Sequence, residues 1–393
     1  MAEGEAYFDY MVQILKNYNL WYGYSTASIQ GIILTMYSVL QIFLMLGLLS
    51  AAISQTYFYG MSYIVHDSAV FLPIGFMGLV IIIYMALNYS AIMKTASKFE
   101  LFLNSFTVDW EEELIKNHMK DTRTVVTLMV NVISFYVLST GAMHFNSISL
   151  HYFFGIFSKP VLLPLVLEKF MEGNFQLRPM FFVHVLLSLL YIKIAASIIT
   201  VIALNIHFSG SAVGALQVLI KRLENVSKKT ADGCHKLAAD SDLRDTIQKH
   251  VELLNIVSDM MEWNGFIVSF TLTSCSILFC INAITVKKSI ETKEYSSTCV
   301  WGSFLLVALA IGGTMCSRGQ EIEKMSEELL RAMYNLPWYR ESSKSRRNIV
   351  LMIAQGNRLI SLDYKGLMRV NMVTYSEMVQ KAYSYFMILG SVE

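Results

Sequence analysis

Long apolar segments alternate with charged segments along the chain. Apolar runs occupy residues 29–53, 68–88, 124–143, 179–206, 265–286 and 297–315. A run of about 18 or more apolar residues is long enough to cross a bilayer as a helix. The last thirty residues, 364–393, form a seventh candidate span. Residues 7–24 form an amphipathic segment before the first span. The pattern predicts an all-α, seven-transmembrane helical protein.

The seventh segment is more polar than the other six. Two interpretations fit a span with many polar groups. Such groups are costly at membrane depth and usually face a protein interior or water, so the helix lines an aqueous pathway; alternatively, it is a partly buried helix at the membrane interface. The polar residues are Asn371, Thr374, Tyr375, Ser376, Glu377, Gln380, Lys381, Ser384 and Tyr385.

Three connections between the spans carry a helical pattern. In residues 89–123, 207–262 and 317–363, apolar residues recur every three or four positions, which gives each helix one apolar face. These helices either lie on the membrane surface, or spans 4, 5 and 6 continue beyond the membrane and pack into a bundle there. The charge in stretches such as RLENVSKK and EIEKMSEE favours the bundle. Glu111, Glu112 and Glu113 are interpreted as a solvated helix start.

Lysine and arginine set the predicted orientation. With the N-terminus in the cytosol, 21 of the 31 Lys and Arg residues fall in cytosolic segments and six in outer segments. Cytosolic loops carry the excess of these residues, so the N-terminus is predicted inside and the C-terminus outside. This orientation is opposite to that of G-protein-coupled receptors. No Asp-Arg-Tyr ends span 3 and no Asn-Pro-x-x-Tyr lies in span 7, so that class is rejected.

Composition agrees with a membrane protein. Only 16% of residues are charged and 54% are hydrophobic, whereas soluble domains average about 25% charged. The five cysteines imply no disulfide framework, and the first 26 residues lack the pattern of a cleavable signal peptide. The sequence has no cluster of His, Cys, Asp or Glu at the spacing of metal ligands. It also has no glycine-rich phosphate-binding loop and no arrangement of catalytic residues. It therefore predicts no enzyme, cofactor, metal site or nucleic-acid partner.

The C-terminal third resembles insect odorant receptors. The resemblance rests on IQKHVELLNIVSDM at residues 247–260 and on AMYNLPWYRESSKSRRNIVLMIAQGNRLI at residues 332–360. The most specific part is AYSYFMIL at residues 382–389, which resembles the family's closing Ser-Tyr-Ser-x-Phe-x-Leu-Leu pattern. The first half resembles the family only in architecture.

This resemblance implies an odorant-gated, non-selective cation channel subunit in the plasma membrane of a sensory neuron. It implies a heterotetramer with a shared co-receptor, a small volatile odorant as ligand, and contact with membrane lipid. The chain lacks the co-receptor's long second inner loop, so it resembles an odour-tuned subunit. The alternatives are a ligand-gated channel like the gustatory receptors and a membrane transporter, although no internal repeat with broken helices favours a transporter.

The resemblance also implies a division of the chain. Residues 1–206 would hold spans 1–4 and the ligand-binding bundle, and residues 263–316 would hold spans 5 and 6. Residues 207–262 and 317–363 would form cytosolic helices that anchor the subunits to one another. Residues 364–393 would form the helix that lines the pore.

The odour site of the resembling receptors lies in the outer part of the bundle, between spans 2, 3, 4 and 6. Tyr136, Ser139 and Met143 share one helical face there by their spacing. Each candidate is either a ligand contact or ordinary packing, and His184 fits a ligand contact, a proton sensor or a core histidine. The candidates are Pro73, Phe76, Met77, Tyr136, Ser139, Thr140, Met143, Phe181, His184, Val185, Ser188, Cys299, Gly302 and Ser303.

The pore and gate are also implied by the resemblance. Ser384 and Ile388 would lie along the pore. Val392 would form an apolar gate, with Ser391 below it and Glu393 at the outer mouth, where a carboxylate favours cations. A ring of apolar side chains can close a pore by excluding water.

Overall fold

Almost all of the described chain is α-helical. The computed structural model describes residues 7–9, 11, 13, 71–149, 177–231, 236–293, 295–340, 343–357, 359–366 and 368–392. Predicted span 1, residues 29–53, lies outside these ranges. The seven helices of the described part are α1 (Phe71–Asn104), α2 (Asp109–Ser149), α3 (Leu177–Ala231), α4 (Lys236–Glu291), α5 (Tyr295–Tyr334), α6 (Ser343–Gly356) and α7 (Met372–Val392).

Helices α1 to α5 are each long and apolar enough to cross a membrane. They contain predicted spans 2 to 6. Helices α3 and α4 have 55 and 56 residues, and at 1.5 Å per residue each is about 80 Å long. A bilayer has a hydrocarbon core of about 30 Å, so both helices extend far beyond it. The prediction that spans 4, 5 and 6 continue as helices is therefore confirmed.

The charged extensions of these helices pack on a shared apolar core. Phe208, Leu216 and Leu219 of α3 are fully buried, as are Leu253 of α4 and Phe102 of α1. These residues belong to one continuous hydrophobic cluster that also includes the membrane-spanning parts of the helices. The apolar faces of the extensions therefore pack against one another inside the chain.

A buried ion pair joins α2 to α3 in this region. Arg222 of α3 donates from Nε to Glu111 Oε1 at 2.6 Å and from Nη2 to Glu111 Oε2 at 2.7 Å. A further N–H of Arg222 pairs with Asp245 of α4. The Glu111 side chain is only 3% exposed. Its prediction as a solvated residue was wrong because the matching arginine is 111 positions away in sequence.

Helix α7 begins later than the sequence pattern predicted. The predicted last span starts at residue 364, but the helix starts at Met372. Lys365 and Gly366 have positive φ angles of 49° and 73°, and they reverse the chain between Asp363 and Arg369, which form an isolated antiparallel bridge. The Asn371 side-chain oxygen then accepts a hydrogen bond from the Thr374 N–H at 3.0 Å. This N-cap fixes the start of α7.

The turn before α7 is fastened to α5. The Ile360 N–H donates to Ser326 Oγ at 3.0 Å, and the Met372 N–H donates to Gln320 Oε1 at 3.2 Å. At Gly319 the two backbones meet so closely that a Cβ would lie 1.8 Å from the carbonyl oxygen of Val370. Only glycine permits this approach. These contacts fasten the start of α7 to α5.

Candidate functional site

A small cavity lies among helices α1 to α5. Its volume is about 60 Å³, and every described residue that lines it falls within the apolar runs of predicted spans 2 to 6. The lining residues are Ile74 and Met77 of α1; Ile133, Tyr136 and Val137 of α2; Ile194, Ala195 and Ile198 of α3; Cys275 and Leu278 of α4; and Phe304, Val307, Ala308 and Ile311 of α5.

The lining of the cavity is almost entirely apolar. Among the lining side chains that the structure describes, only Tyr136 and Cys275 carry a polar group. The Tyr136 ring packs against Phe304 with ring centroids 6.0 Å apart. Such a lining stabilises a ligand mainly by removing its apolar surface from water, at roughly 25 cal/mol per Å². Within the described residues, no group of three His, Cys, Asp or Glu side chains is placed to bind a metal ion.

Two of the predicted ligand residues, Met77 and Tyr136, line this cavity. Phe76 is 48% exposed and packs beside Phe270. Ser139 lies one turn after Tyr136 on α2 and donates its hydroxyl to the Tyr136 carbonyl at 2.9 Å. Neither Phe76 nor Ser139 is among the lining residues.

The predicted residues of α5 lie just before the cavity. Ser303 donates its hydroxyl to the Val300 carbonyl at 2.8 Å, Gly302 is half-buried, and Cys299 is exposed. The side chains of seven further predicted residues lie outside the described part, although their backbones are helical. These residues are Pro73, Thr140, Met143, Phe181, His184, Val185 and Ser188.

Sequence reasoning missed most of the lining residues that the structure describes. On α3 these are Ile194, Ala195 and Ile198, and on α5 they run from Phe304 to Ile311. Helix α4 was not expected to contribute, yet Cys275 and Leu278 lie in the wall. Isoleucine, alanine and valine occur in a membrane helix whether they face lipid, a neighbouring helix or a cavity. The sequence therefore carried no signal that could have singled them out.

Part of the cavity wall also holds the last helix. Cys275 and Ala308 belong to a second apolar cluster with Phe279 and with Ala382 of α7. Tyr375 and Val379 of α7 pack against the same cluster, which we call the α7 cluster. Two residues therefore contact the cavity and also belong to the cluster that holds α7.

Tyr375 gives the α7 cluster its directional contact. Its hydroxyl donates to the Leu309 carbonyl of α5 at 2.9 Å. The ring lies over Gly312, where a Cβ would be 3.1 Å from the nearest ring carbon. Since both contacts are on α5, a displacement of α5 acts directly on α7.

The predicted pore residues lie near the end of α7. Ser384 is exposed and donates its hydroxyl to the Gln380 carbonyl at 3.0 Å. Ile388 is 58% exposed. The side chains of Ser391, Val392 and Glu393 lie outside the described part of the chain.

Solved structures show the same fold. The chain superimposes on the insect olfactory receptor OR5 from Machilis hrabei with a TM-score of 0.69, covering 99% of this chain and 100% of that one, at 10% sequence identity. The structure of the same receptor in complex with eugenol also gives a TM-score of 0.69, at 12% identity. At this level of identity the likeness establishes the fold.

Sequence relatives are odorant receptors of Drosophila melanogaster. Putative odorant receptor 85d is 23% identical over 150 residues, which cover 38% of this chain and 36% of that protein. Odorant receptor 63a is 35% identical over 77 residues (20% and 18%). Odorant receptor 88a is 33% identical over 101 residues (25% and 25%). The chain thus matches about a third or less of the length of each of these relatives.

A family model described as 7tm Odorant receptor matches residues 65–383. This match reaches well beyond the C-terminal third in which the resemblance was first found, and it includes the five helices around the cavity. Because it covers far more than half of the chain, the protein belongs to the insect 7tm odorant receptor family and is a multi-pass membrane receptor, not an enzyme.

Proposed function

We propose that this protein is an odour-tuned subunit of a ligand-gated cation channel, and that the cavity among α1 to α5 binds its odorant. One observation carries the proposal. Cys275 and Ala308 contact the cavity and also belong to the α7 cluster, which holds the helix that would line the pore. A ligand in the cavity therefore touches residues that fix the position of α7.

The chemistry of the cavity indicates its class of ligand. The lining offers a continuous apolar surface and, among its side chains, one phenol and one thiol. The best ligand is a small, mostly hydrocarbon molecule with at most one or two polar atoms, which describes a volatile odorant. In one family member, OR5 from Machilis hrabei, a structure was solved in complex with eugenol, a molecule of this kind.

Gating follows from the two contacts of Tyr375. A ligand shifts an equilibrium between two conformations only by binding one of them more tightly. A molecule that fills the cavity favours the arrangement in which Cys275 and Ala308 are further apart. This arrangement moves α5 relative to α4, and Tyr375 carries α7 with α5 through the Leu309 carbonyl. The pore opens when α7 is displaced.

The exposed surface of α7 suits a pore. Polar side chains share its exposed face with apolar ones; the polar ones are Ser376, Glu377, Gln380, Lys381 and Ser384. In a tetramer this face meets water at the centre, and the proposed gate is formed by Val392, between Ser391 and Glu393.

The partners are co-receptor subunits, and the site of action is the plasma membrane of a sensory neuron. The excess of Lys and Arg supports an N-terminus in the cytosol and a C-terminus outside.

Ala195→Phe tests the proposed function. Ala195 lines the cavity, so a phenyl ring at this position fills it. Ile192→Phe is the matched control, since Ile192 lies on the same helix and is exposed. With the co-receptor present, Ala195→Phe should abolish odour-evoked whole-cell current at normal surface expression, while Ile192→Phe should leave the current unchanged. Unaltered concentration–response curves for Ala195→Phe across an odorant panel would exclude this cavity as the odorant site.

A further inference from the structure

We propose that Gly78, which does not line the cavity, sets the size of the largest ligand that the cavity accepts. This inference rests on the proposed function, in which the cavity binds the odorant. Gly78 is a buried residue of α1, next in sequence to the lining residue Met77. Its missing side chain leaves space that Ile194, a lining residue of α3, occupies.

Gly78 and Ile194 lie so close together that position 78 has no room for a side chain. A Cβ built on Gly78 would lie 2.6 Å from Ile194 Cγ2, 2.9 Å from Ile194 Cγ1 and 3.1 Å from Ile194 Cβ. Non-bonded carbon atoms have their optimal separation at about 3.5–4.0 Å. Ile194 therefore packs directly onto the backbone of α1 and depends on the absence of a side chain there.

Ile194 cannot yield without changing the cavity. Isoleucine is branched at Cβ and has one strongly preferred χ1 rotamer in a helix. Both branches are in contact with the position of the added Cβ, so a small bend at the end of the side chain cannot relieve the overlap. Ile194 must rotate about χ1, or α3 must move away from α1. The backbone of α3 is held by buried neighbours, including Ile199 and Ile202. The expected response is therefore a rotation about χ1 that takes one branch out of the overlap, with a small shift that relieves the contacts of the other branch and of Cβ.

Rotation of Ile194 reduces the space for a ligand. The cavity is the unfilled volume beside Ile194, and the lining residues Ala195 and Ile198 lie on the same stretch of α3. A branch of Ile194 that leaves the space beside Gly78 therefore enters the cavity. In a volume of about 60 Å³, one displaced methyl or ethyl group takes a large share.

Gly75 provides a matched control on the same helix. It lies three residues before Gly78, and a Cβ built on it meets no atom of the described residues within 4 Å. Gly75→Ala and Gly78→Ala make the same chemical change and raise helix propensity by the same amount, about 1 kcal/mol. The difference between the two variants therefore isolates the contact with Ile194.

The test uses the purified full chain in lipid nanodiscs and aromatic probes of increasing size: benzene, p-xylene, mesitylene and 1,3,5-triethylbenzene. A ligand that binds the folded state raises the melting temperature, and at a fixed concentration a tighter ligand raises it more, so thermal unfolding reports binding of each probe. The proteins compared are the wild type, Gly75→Ala, Gly78→Ala, Ile194→Ala and the double variant Gly78→Ala with Ile194→Ala.

Gly78→Ala should bind the largest probe accepted by the wild type at least about tenfold more weakly, as expected for a mismatch of one methylene. Its affinity for benzene should change less. Gly75→Ala should match the wild type, and Ile194→Ala should accept a larger probe. The double variant should regain at least the wild-type size limit, because alanine at position 194 removes the overlapping branches.

The possible failures are distinct. A wild type that no probe stabilises contradicts the proposed function of the cavity, and the inference fails with it. A wild type that binds probes together with a Gly78→Ala variant of unchanged size limit contradicts only the inference. If Gly78→Ala does not fold but the double variant does, the overlap with Ile194 is supported. If neither folds, the overlap is not with Ile194 and the inference is overturned.

Discussion

At the scale of single residues, charge is buried where the chain supplies a distant partner. Glu111 would be costly in the core by itself, but both of its oxygens accept hydrogen bonds from Arg222. Lys249 is also a buried charge with distant partners. Its Nζ donates to Ser105 Oγ at 2.7 Å and lies 4.3 Å from the centre of the Phe106 ring. These contacts hold the turn between α1 and α2 against α3 and α4.

Removal of Glu111 should destabilise the fold. Glu111→Ala leaves the mostly buried Arg222 with fewer partners, and breaking a buried ion pair typically reduces the free energy of unfolding by about 3 kcal/mol. Glu113→Ala is the control, since Glu113 is exposed on the same turn of α2. Denaturant unfolding of the purified variants measures the difference. Equal stability of the two variants would contradict a structural role for the ion pair.

At the scale of helices, the contact between α5 and α7 is the one that, in the proposed function, would transmit ligand binding to the pore. Tyr375 makes this contact through one hydrogen bond to a backbone carbonyl and through a ring packed over Gly312. The rest of α7 offers less to hold it, because only Met378 and Ala382 of its described side chains are buried. A helix held by so few contacts can move without disrupting the bundle.

Tyr375→Phe should make the channel open more easily. The variant keeps the ring and removes the hydroxyl that holds α7 in place, a hydrogen bond with a net contribution of about 1 kcal/mol. We expect a higher resting current, and half-maximal current at an odorant concentration lower by about fivefold.

Tyr383→Phe is the matched control for this change, since Tyr383 lies on the same helix and is exposed. Its current should resemble that of the wild type. If Tyr375→Phe also has the resting current and odorant sensitivity of the wild type, the hydrogen bond to Leu309 does not restrain α7.

At the scale of the whole molecule, exposed apolar residues lie both on the membrane-spanning helices and beyond them. Leu87, Phe135 and Leu306 are among the exposed apolar residues of the membrane-spanning helices, where lipid covers them. A second group, which includes Val350 and Leu351, lies on α6 beyond the apolar runs. Their neighbours Ile349 and Met352 are buried within the chain. The exposed face of α6 is therefore available for contact with another subunit.

Leu351→Asp should prevent assembly. Leu351 is 61% exposed in the single chain, so a carboxylate is tolerated by the isolated subunit but not within an apolar interface. A native gel with the co-receptor should show loss of the tetramer. Leu351→Met conserves volume and polarity and should assemble normally. A Leu351→Asp subunit that still forms the full complex would remove this role from α6.

The sequence by itself determined those properties that depend on local pattern. The length of the apolar runs fixed the helical membrane class, and their continuation at helical spacing correctly predicted that spans 4 to 6 extend beyond the bilayer. Met77 and Tyr136 were predicted as ligand residues from the resemblance and do line the cavity, while their contact with a ligand stays a prediction.

Only the tertiary structure decided which faces of those helices meet. Ile194 lines the cavity while Ile192, two residues earlier, is exposed, and no property of an isoleucine distinguishes the two. Glu111 is buried because Arg222 pairs with it, and Ile194 has room because the residue opposite, Gly78, has no side chain. Such contacts join residues about 110 positions apart, and the packing of whole helices brings them together. A local pattern records that a residue is apolar, whereas the function of that residue depends on what the fold places beside it.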